Sequence, residues 1–367
     1  MTDVRGIDPG VELLPDVPIA RSTDDLLGRA PLVLRLCELA CAQPMAAPRV
    51  VGLVGGAGTG KSSVLNLVTT VLTERGDVAF VTLDGAGYAG AKDLIAALLQ
   101  NLHEFFAAQD VVDTSDSVRD TLARYGGLVS DVARIAGVKV DLGGALARSA
   151  ADVRAEIAEM TQEIGKRIVL LVDHVDRMPV RELGSALVAL RHIAAIPYVT
   201  IVLAYDRRAA ALASDDEIDP RAFERLVQVE LAVPAADRVL LARVLAGGVT
   251  RVAMRLGRDL DAVLALFDPD ADSAPVLDLC ETPRDAKRAI NALAAALPLV
   301  PDGGDVRDAA LDIVLRLLVP EVDGPRLDGR GRAAGSVHAG LLAELDAIVA
   351  GHRRAGPARA ALRVLLT

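Results

Sequence analysis

The run Gly55-Gly56-Ala57-Gly58-Thr59-Gly60-Lys61-Ser62 has the residue types and spacing to hold a polyphosphate: a glycine, four residues, then Gly-Lys-Ser. Glycines let backbone N–H groups turn inward and approach an anion closely. A helix starting at the end of the run aims its partial positive charge at the same place. Lys61 is placed to reach the β- and γ-phosphates and Ser62 to ligate Mg²⁺, and Ser63, the last of the nucleotide-binding candidates, carries the loop into that helix.

This chemistry needs a second acidic group to hold Mg²⁺ through water. Asp173 follows five apolar residues, Ile168 to Val172, and a carboxylate at the end of a buried strand is unfavourable without a cation. In many such sites a glutamate comes next and activates water. Here that position is His174, and the next carboxylate is Asp176. Asp176 is the preferred base, with His174 in that role or slow hydrolysis as alternatives.

The elements that must position these groups read as follows. Arg49–Val54 is a short buried strand, and the helix after the loop runs to about Glu74 and stops at Gly76. Val78–Leu83 is a second strand, followed by a Gly-rich turn and a helix over Ala91–Ala108. Residues 151–164 form an amphipathic helix. Ile168–Val172 is a strand of the kind a central parallel sheet requires, Val180–Ala194 a helix, and Tyr198–Tyr205 and Leu226–Leu231 two more strands. A helix is expected over Asp24–Ala42 and a half-exposed strand near Val138–Leu142. The expected fold class is α/β: a three-layer P-loop sandwich on a five-stranded parallel core of the additional-strand type, followed by a C-terminal helical lid. The domains are then a lead-in and helix over 1–48, the core over 49–233 with an insertion about 109–150, the lid over 234–319, a linker over 320–336 and a helical tail over 337–367.

Composition narrows the function. Forty basic against fifty acidic residues give a net charge of −10, which disfavours non-specific nucleic-acid binding. Aromatics are 2%, so the core must be built from aliphatic side chains. Cys37, Cys41 and Cys280 have no neighbouring ligands and read as free thiols of a reducing, cytoplasmic setting. No secretory leader or membrane span is expected. There is no Asn-Lys-X-Asp guanine motif and no Leu-Ser-Gly-Gly-Gln run, which argues against GTPases and transporter ATPases.

Six ordered segments resemble the KAP family of P-loop NTPases, on the STAND/AAA-like side of the ATPases. They are Asp25-Leu26-Leu27-Gly28-Arg29 after Pro18-Ile19; Gly60 to Leu67; Val172-Asp173-His174-Val175-Asp176-Arg177; Val202 to Arg207, ending Tyr-Asp-Arg; Phe223 to Val229 before Pro234; and Thr282 to Arg288 with Asn291. The resemblance implies ATP and Mg²⁺ as cofactors, Asp206 as a sensor-like group facing the γ-phosphate, and Arg284 as a sensor-like cation from the lid. Arg177 and Arg207 become candidates for charge stabilisation, in cis or across an interface. Many relatives carry Asp where this chain has His174, and many carry membrane helices near the place of Tyr125–Arg148. Here that stretch contains Asp131, Arg134, Lys139 and Asp141, so a member without the transmembrane insertion is expected.

The expectation is an ATP-hydrolysing conformational switch acting on a protein partner in bacterial signalling, assembly or phage defence, with homo-oligomerisation open. The rivals are an ATP-bound scaffold with little catalysis, a DNA-associated motor or loader, and a phosphotransferase with a small acceptor.

Overall fold

The computed structural model describes residues 13–43, 47, 49–107, 121, 123, 124, 127, 154–159, 161–208, 222–257, 260–271, 274–301, 304–322 and 347–366. The strand expected over Val138–Leu142 and most of the 109–150 insertion lie outside them, as does the 320–336 linker beyond Val322. The described residues fall into two compact units, one within Pro18–Pro234 and one combining the lead-in up to Val17 with Ala235 onwards.

The first unit is built on five parallel strands: β1 (Arg49–Val54), β2 (Val78–Asp84), β3 (Arg167–Asp173), β4 (Val199–Tyr205) and β5 (Val229–Ala232). Their order across the sheet is β2-β3-β4-β1-β5. The strand lying between β1 and β3 is therefore β4, which is the additional-strand arrangement. Side chains alternate across the pleat. Val50, Ile168, Leu170, Ile201 and Leu203 point to one apolar cluster, shared with α3 (Ala91–Ala107) and α4 (Val180–Ala194). Val51, Leu53, Val169, Leu171, Val202 and Ala204 point to another, shared with α1 (Ala30–Ala40) and α2 (Lys61–Arg75). A sheet covered on both faces explains why β3 and β4 are buried along their whole length.

Two elements differ from the sequence expectation. The helix expected over Asp24–Ala42 starts only at Ala30. Before it, the Asp25 carboxylate accepts from the Leu27 and Arg29 N–H groups, Gly28 takes φ 64°, and Pro31 then suits the first helical turn. The fifth strand is Val229–Ala232, not Leu226–Leu231, because Leu226 ends a short helix over Ala222–Leu226. β5 is an edge strand with mostly exposed residues, so its apolar signal is weak.

The second unit is helical. α5 (Arg238–Leu256), α6 (Pro283–Ala296), α7 (Val306–Leu318) and α8 (Ala355–Leu366) enclose one core that includes Leu245, Val249, Phe267, Leu279, Ile290, Leu311, Leu315 and Leu362. Asp237 caps α5 through the Val239 and Leu240 N–H groups. Thr282 and Asp285 form a reciprocal capping box on α6. The lead-in belongs here too: the Asn291 amide donates to the Leu14 carbonyl at 2.8 Å and accepts from its N–H at 2.7 Å.

Candidate phosphate-binding site

Parallel register brings the strand ends level. Val54 of β1 pairs with Tyr205 of β4, and Asp84 of β2 with Asp173 of β3. The residues just beyond β1, β3 and β4 therefore emerge together at one edge, the carboxyl edge where open α/β sheets place their ligands. These residues are Gly55, His174 and Asp206.

The loop closes on itself between β1 and α2. Gly55 N–H donates to the Tyr205 carbonyl at 3.2 Å, and the Thr59 hydroxyl donates to the Gly56 carbonyl at 2.9 Å. Gly60 holds φ 100°, a conformation that glycine adopts without a Cβ penalty. The helix then starts at Lys61 with the Val64 N–H on the Gly60 carbonyl. The Lys61 side chain is buried, and its Nζ donates to the Gly55 carbonyl at 2.7 Å and the Gly56 carbonyl at 3.2 Å. Burial pushes the Lys61 pKa down, while the negative fields of Asp176, then Asp206, then Asp173 oppose that shift.

All three carboxylates are thus near enough for their fields to act on the ammonium. Asp173 is buried, and its Oδ1 accepts from the His174 N–H at 2.8 Å. Asp176 Oδ2 accepts from the Asp206 N–H at 3.1 Å, while its Oδ1 is buried without a hydrogen-bond partner. Asp206 Oδ1 accepts from the Arg208 N–H at 2.9 Å.

His174 is set into this group in an unusual way. Its φ is 52°, one of two positive values at non-glycine residues among those described. Such a conformation costs about 1–3 kcal/mol and persists only where the surroundings enforce it. Its ring lies between Ser62 Oγ, 3.4 Å from Nε2, and Asp84 Oδ1, 3.1 Å from Nδ1. Asp84 is not among the site residues expected from the sequence. Its only signal there was its place at the carboxyl end of the second strand.

The remaining candidates are spread more widely. Ser63 Oγ accepts from the Ile19 N–H at 3.2 Å, and the Asn66 amide donates to the Ile19 carbonyl at 3.1 Å, so the start of α2 binds the lead-in backbone. Arg177 is exposed, and its positive field lowers the Lys61 pKa slightly further. Arg207 forms an ion pair with Glu230, which also accepts from the Tyr205 hydroxyl. Arg284 belongs to the helical unit and pairs with Asp16 at 3.0 Å, while Lys287 one turn on donates to the Pro15 and Val17 carbonyls at 3.2 Å. The α6 face carrying Arg284, Lys287 and Asn291 thus grips the lead-in segment 14–17.

Among the described residues there is no group of three or more His, Cys, Asp or Glu side chains that could hold a metal unaided. The site's donor set does suit a cation that arrives with phosphates: one hydroxyl, nearby carboxylates and an unpartnered carboxylate oxygen. No helix among the described residues is long and apolar enough to cross a membrane.

Among solved structures the chain is similar to the Aeropyrum pernix ORC1 protein in complex with DNA, at 16% identity and a TM-score of 0.38 over 93% of this chain and 86% of that one. Domain III of the Thermotoga maritima replication initiation protein DnaA matches at 14% identity and a TM-score of 0.38, over 86% of this chain and all of that one. In sequence it is similar to the phage T7 exclusion protein of Escherichia coli (strain K12), 26% identical over 269 residues, which is 64% of this chain and 35% of that protein. The chain therefore corresponds to about a third of that relative's length. The family model described as the KAP family P-loop domain matches residues 29–300, and the chain belongs to that family.

Proposed function

We propose that the chain binds ATP with Mg²⁺ at residues 55–62 and hydrolyses it. The observation that carries this reading is the buried Lys61 ammonium. It is held on two carbonyls of a glycine loop, at the carboxyl edge of the sheet, with Asp173, Asp176 and Asp206 around it. A cation so placed is poised to exchange carbonyl partners for phosphate oxygens. Ser62 and Asp173 are the residues that would hold Mg²⁺, directly and through water. The ion would supply charge neutralisation on the phosphates. The loop N–H groups would bind the phosphates, and Asp206 would sense the terminal one. Asp176, with its unpartnered oxygen, and His174 are the two groups able to order the attacking water.

The wider role is a switch. Nucleotide state would bias the position of the helical unit, and that movement would act on a protein partner, with or without self-association. The E. coli relative is named for exclusion of phage T7, and phage defence is the process that this likeness suggests. A second reading, an ATP-bound scaffold with little turnover, is favoured by one observation: His174 stands where a catalytic carboxylate is usual.

The deciding experiment is Mg²⁺-dependent ATP turnover by the purified protein beside Lys61→Ala and Asp176→Asn. Turnover that Lys61→Ala abolishes supports hydrolysis. Tight ATP binding that Lys61→Ala removes, without turnover, supports the scaffold. Neither binding nor turnover overturns the reading.

A further inference from the structure

We propose that Asp84 is a positioning residue that fixes the His174 ring, so that Nε2 faces the phosphate loop as a hydrogen-bond acceptor and orients the attacking water. This inference rests on the hydrolysis reading above and assigns the water to His174 in preference to Asp176.

Three observations at the β2 and β3 ends converge on this pair. Asp84 and Asp173 are register partners, so the residue after Asp173 is delivered beside the Asp84 side chain. Gly85 permits the approach: a Cβ there would meet Val175 Cα at 2.9 Å and the Asp173 carbonyl at 3.1 Å. Any larger residue would push the two strand ends apart. Finally, His174 adopts a left-handed backbone conformation directly after Asp173, with its N–H donating to Asp173 Oδ1.

The hydrogen-bond inventory then sets the direction of the ring. An ionised carboxylate only accepts, so Nδ1 is the protonated nitrogen and donates to Asp84 Oδ1 at 3.1 Å, the second carboxylate near it, Asp173 Oδ2, lying farther off at 3.6 Å. The same oxygen accepts from the Ala86 N–H at 3.1 Å, which holds the carboxylate in place. The Nε2 lone pair is left facing Ser62 Oγ at 3.4 Å, at the mouth of the loop. Asp176 is less suited, because its Oδ2 is engaged by the Asp206 N–H and its unpartnered Oδ1 is buried from solvent. The arrangement follows a general rule: an imidazole's working nitrogen is set by the hydrogen bond its other nitrogen makes.

The test combines a spectroscopic readout with kinetics on the full chain. Long-range ¹H–¹⁵N correlation spectra of the nucleotide-free protein, with His174 assigned by its loss in His174→Gln, report which nitrogen is protonated. We expect Nδ1–H in the wild type and a shift toward Nε2–H in Asp84→Ala. In ATP turnover, kcat is expected to fall about a hundredfold in His174→Ala and about tenfold in Asp84→Ala, with KM little changed. Asp84→Asn, which retains an acceptor, should recover part of the loss. Asp84 is largely exposed, so these variants should fold, and unchanged melting and ATP binding verify it. An Nε2–H tautomer in the wild type, or wild-type kcat in Asp84→Ala, overturns the proposal and leaves the hydrolysis reading intact. ATP binding without any turnover in the wild type overturns both.

Discussion

Two buried cations stand at opposite edges of the same sheet, and they are held differently. Lys61, at the carboxyl edge, donates to the Gly55 and Gly56 carbonyls and lies in the field of three carboxylates. Arg167, at the start of β3, is 2% exposed and donates to the Ala40 and Ala42 carbonyls and the Thr200 hydroxyl. No carboxylate pairs with it among the described residues. Burial lowers the pKa of both. Arg167 ties the end of α1 to β3 and β4, so its bonds join separate elements. Lys61 bonds only to the loop from which it springs, and joins nothing that the fold would otherwise lose. The difference separates a cation that joins elements of the fold from one that joins none, and the proposed phosphate contact of Lys61 rests on it.

The largest effect should come from the loop. Lys61→Ala is expected to lower ATP turnover a hundredfold or more, about 3 kcal/mol of transition-state stabilisation. Its melting temperature should stay at or above that of the wild type. A large loss of stability in this variant, measured by denaturant unfolding, would erase the contrast with Arg167.

Arg167→Met is the converse. It leaves two carbonyls and a hydroxyl without their buried donor, and should destabilise the protein by about 3 kcal/mol. Nucleotide affinity measured on the remaining folded protein should not change. A variant as stable as the wild type would mean that water replaces the guanidinium, and Arg167 would lose its structural standing.

The helical unit sharpens the comparison with a third buried cation. Arg354 is paired, donating to Asp285 at 2.7 Å and to the Leu318 carbonyl at 3.0 Å. Asp285 also accepts from the Glu281 and Thr282 N–H groups. Asp285→Ala would strand the buried Arg354 charge and remove the half of the capping box that holds the Thr282 N–H, a loss of about 3 kcal/mol. Thr282→Ala removes only the cap, about 1 kcal/mol. Urea unfolding of both variants orders the two losses; equal losses would show that the ion pair contributes nothing beyond the cap.

What the sequence made legible follows from this geometry. The phosphate loop, β1, β3, β4 and α4 announce themselves through local rules: glycine spacing, unbroken apolar runs and helical periodicity. Asp173 stood out because a carboxylate ending a buried strand is anomalous, and it is indeed buried at the end of β3. Asp84 was not, because the end of β2 is half-exposed and a carboxylate there is ordinary. Only the parallel register of β2 on β3 brings it to His174, and register is a long-range property. Arg284 shows the same limit. Its motif suggested a nucleotide sensor, yet its observed partner is Asp16, 268 residues earlier in the chain. The late start of α1 was set by Asp25 accepting from Leu27 and Arg29, a local competition that outweighed the helical spacing of the leucines.

The smallest effect is the pH dependence of Lys61, and it tests the contrast most directly. Its folded pKa lies below its unfolded value, with desolvation as the leading cause. Through the interval between the two values the unfolded chain binds more protons, so stability rises with pH there. The penalty of burying the ammonium is complete below the folded pKa and gone above the unfolded one, about 10.4. Lys61→Met carries no such penalty. Its stability advantage over the wild type should therefore be constant near neutrality and shrink as pH climbs toward about 10. Paired urea denaturation of the two proteins across that range reads the difference without reference to other titrating groups, which cancel. A gap that widens with pH would mean that the ammonium is stabilised where it sits, and that Lys61, like Arg167, belongs to the architecture.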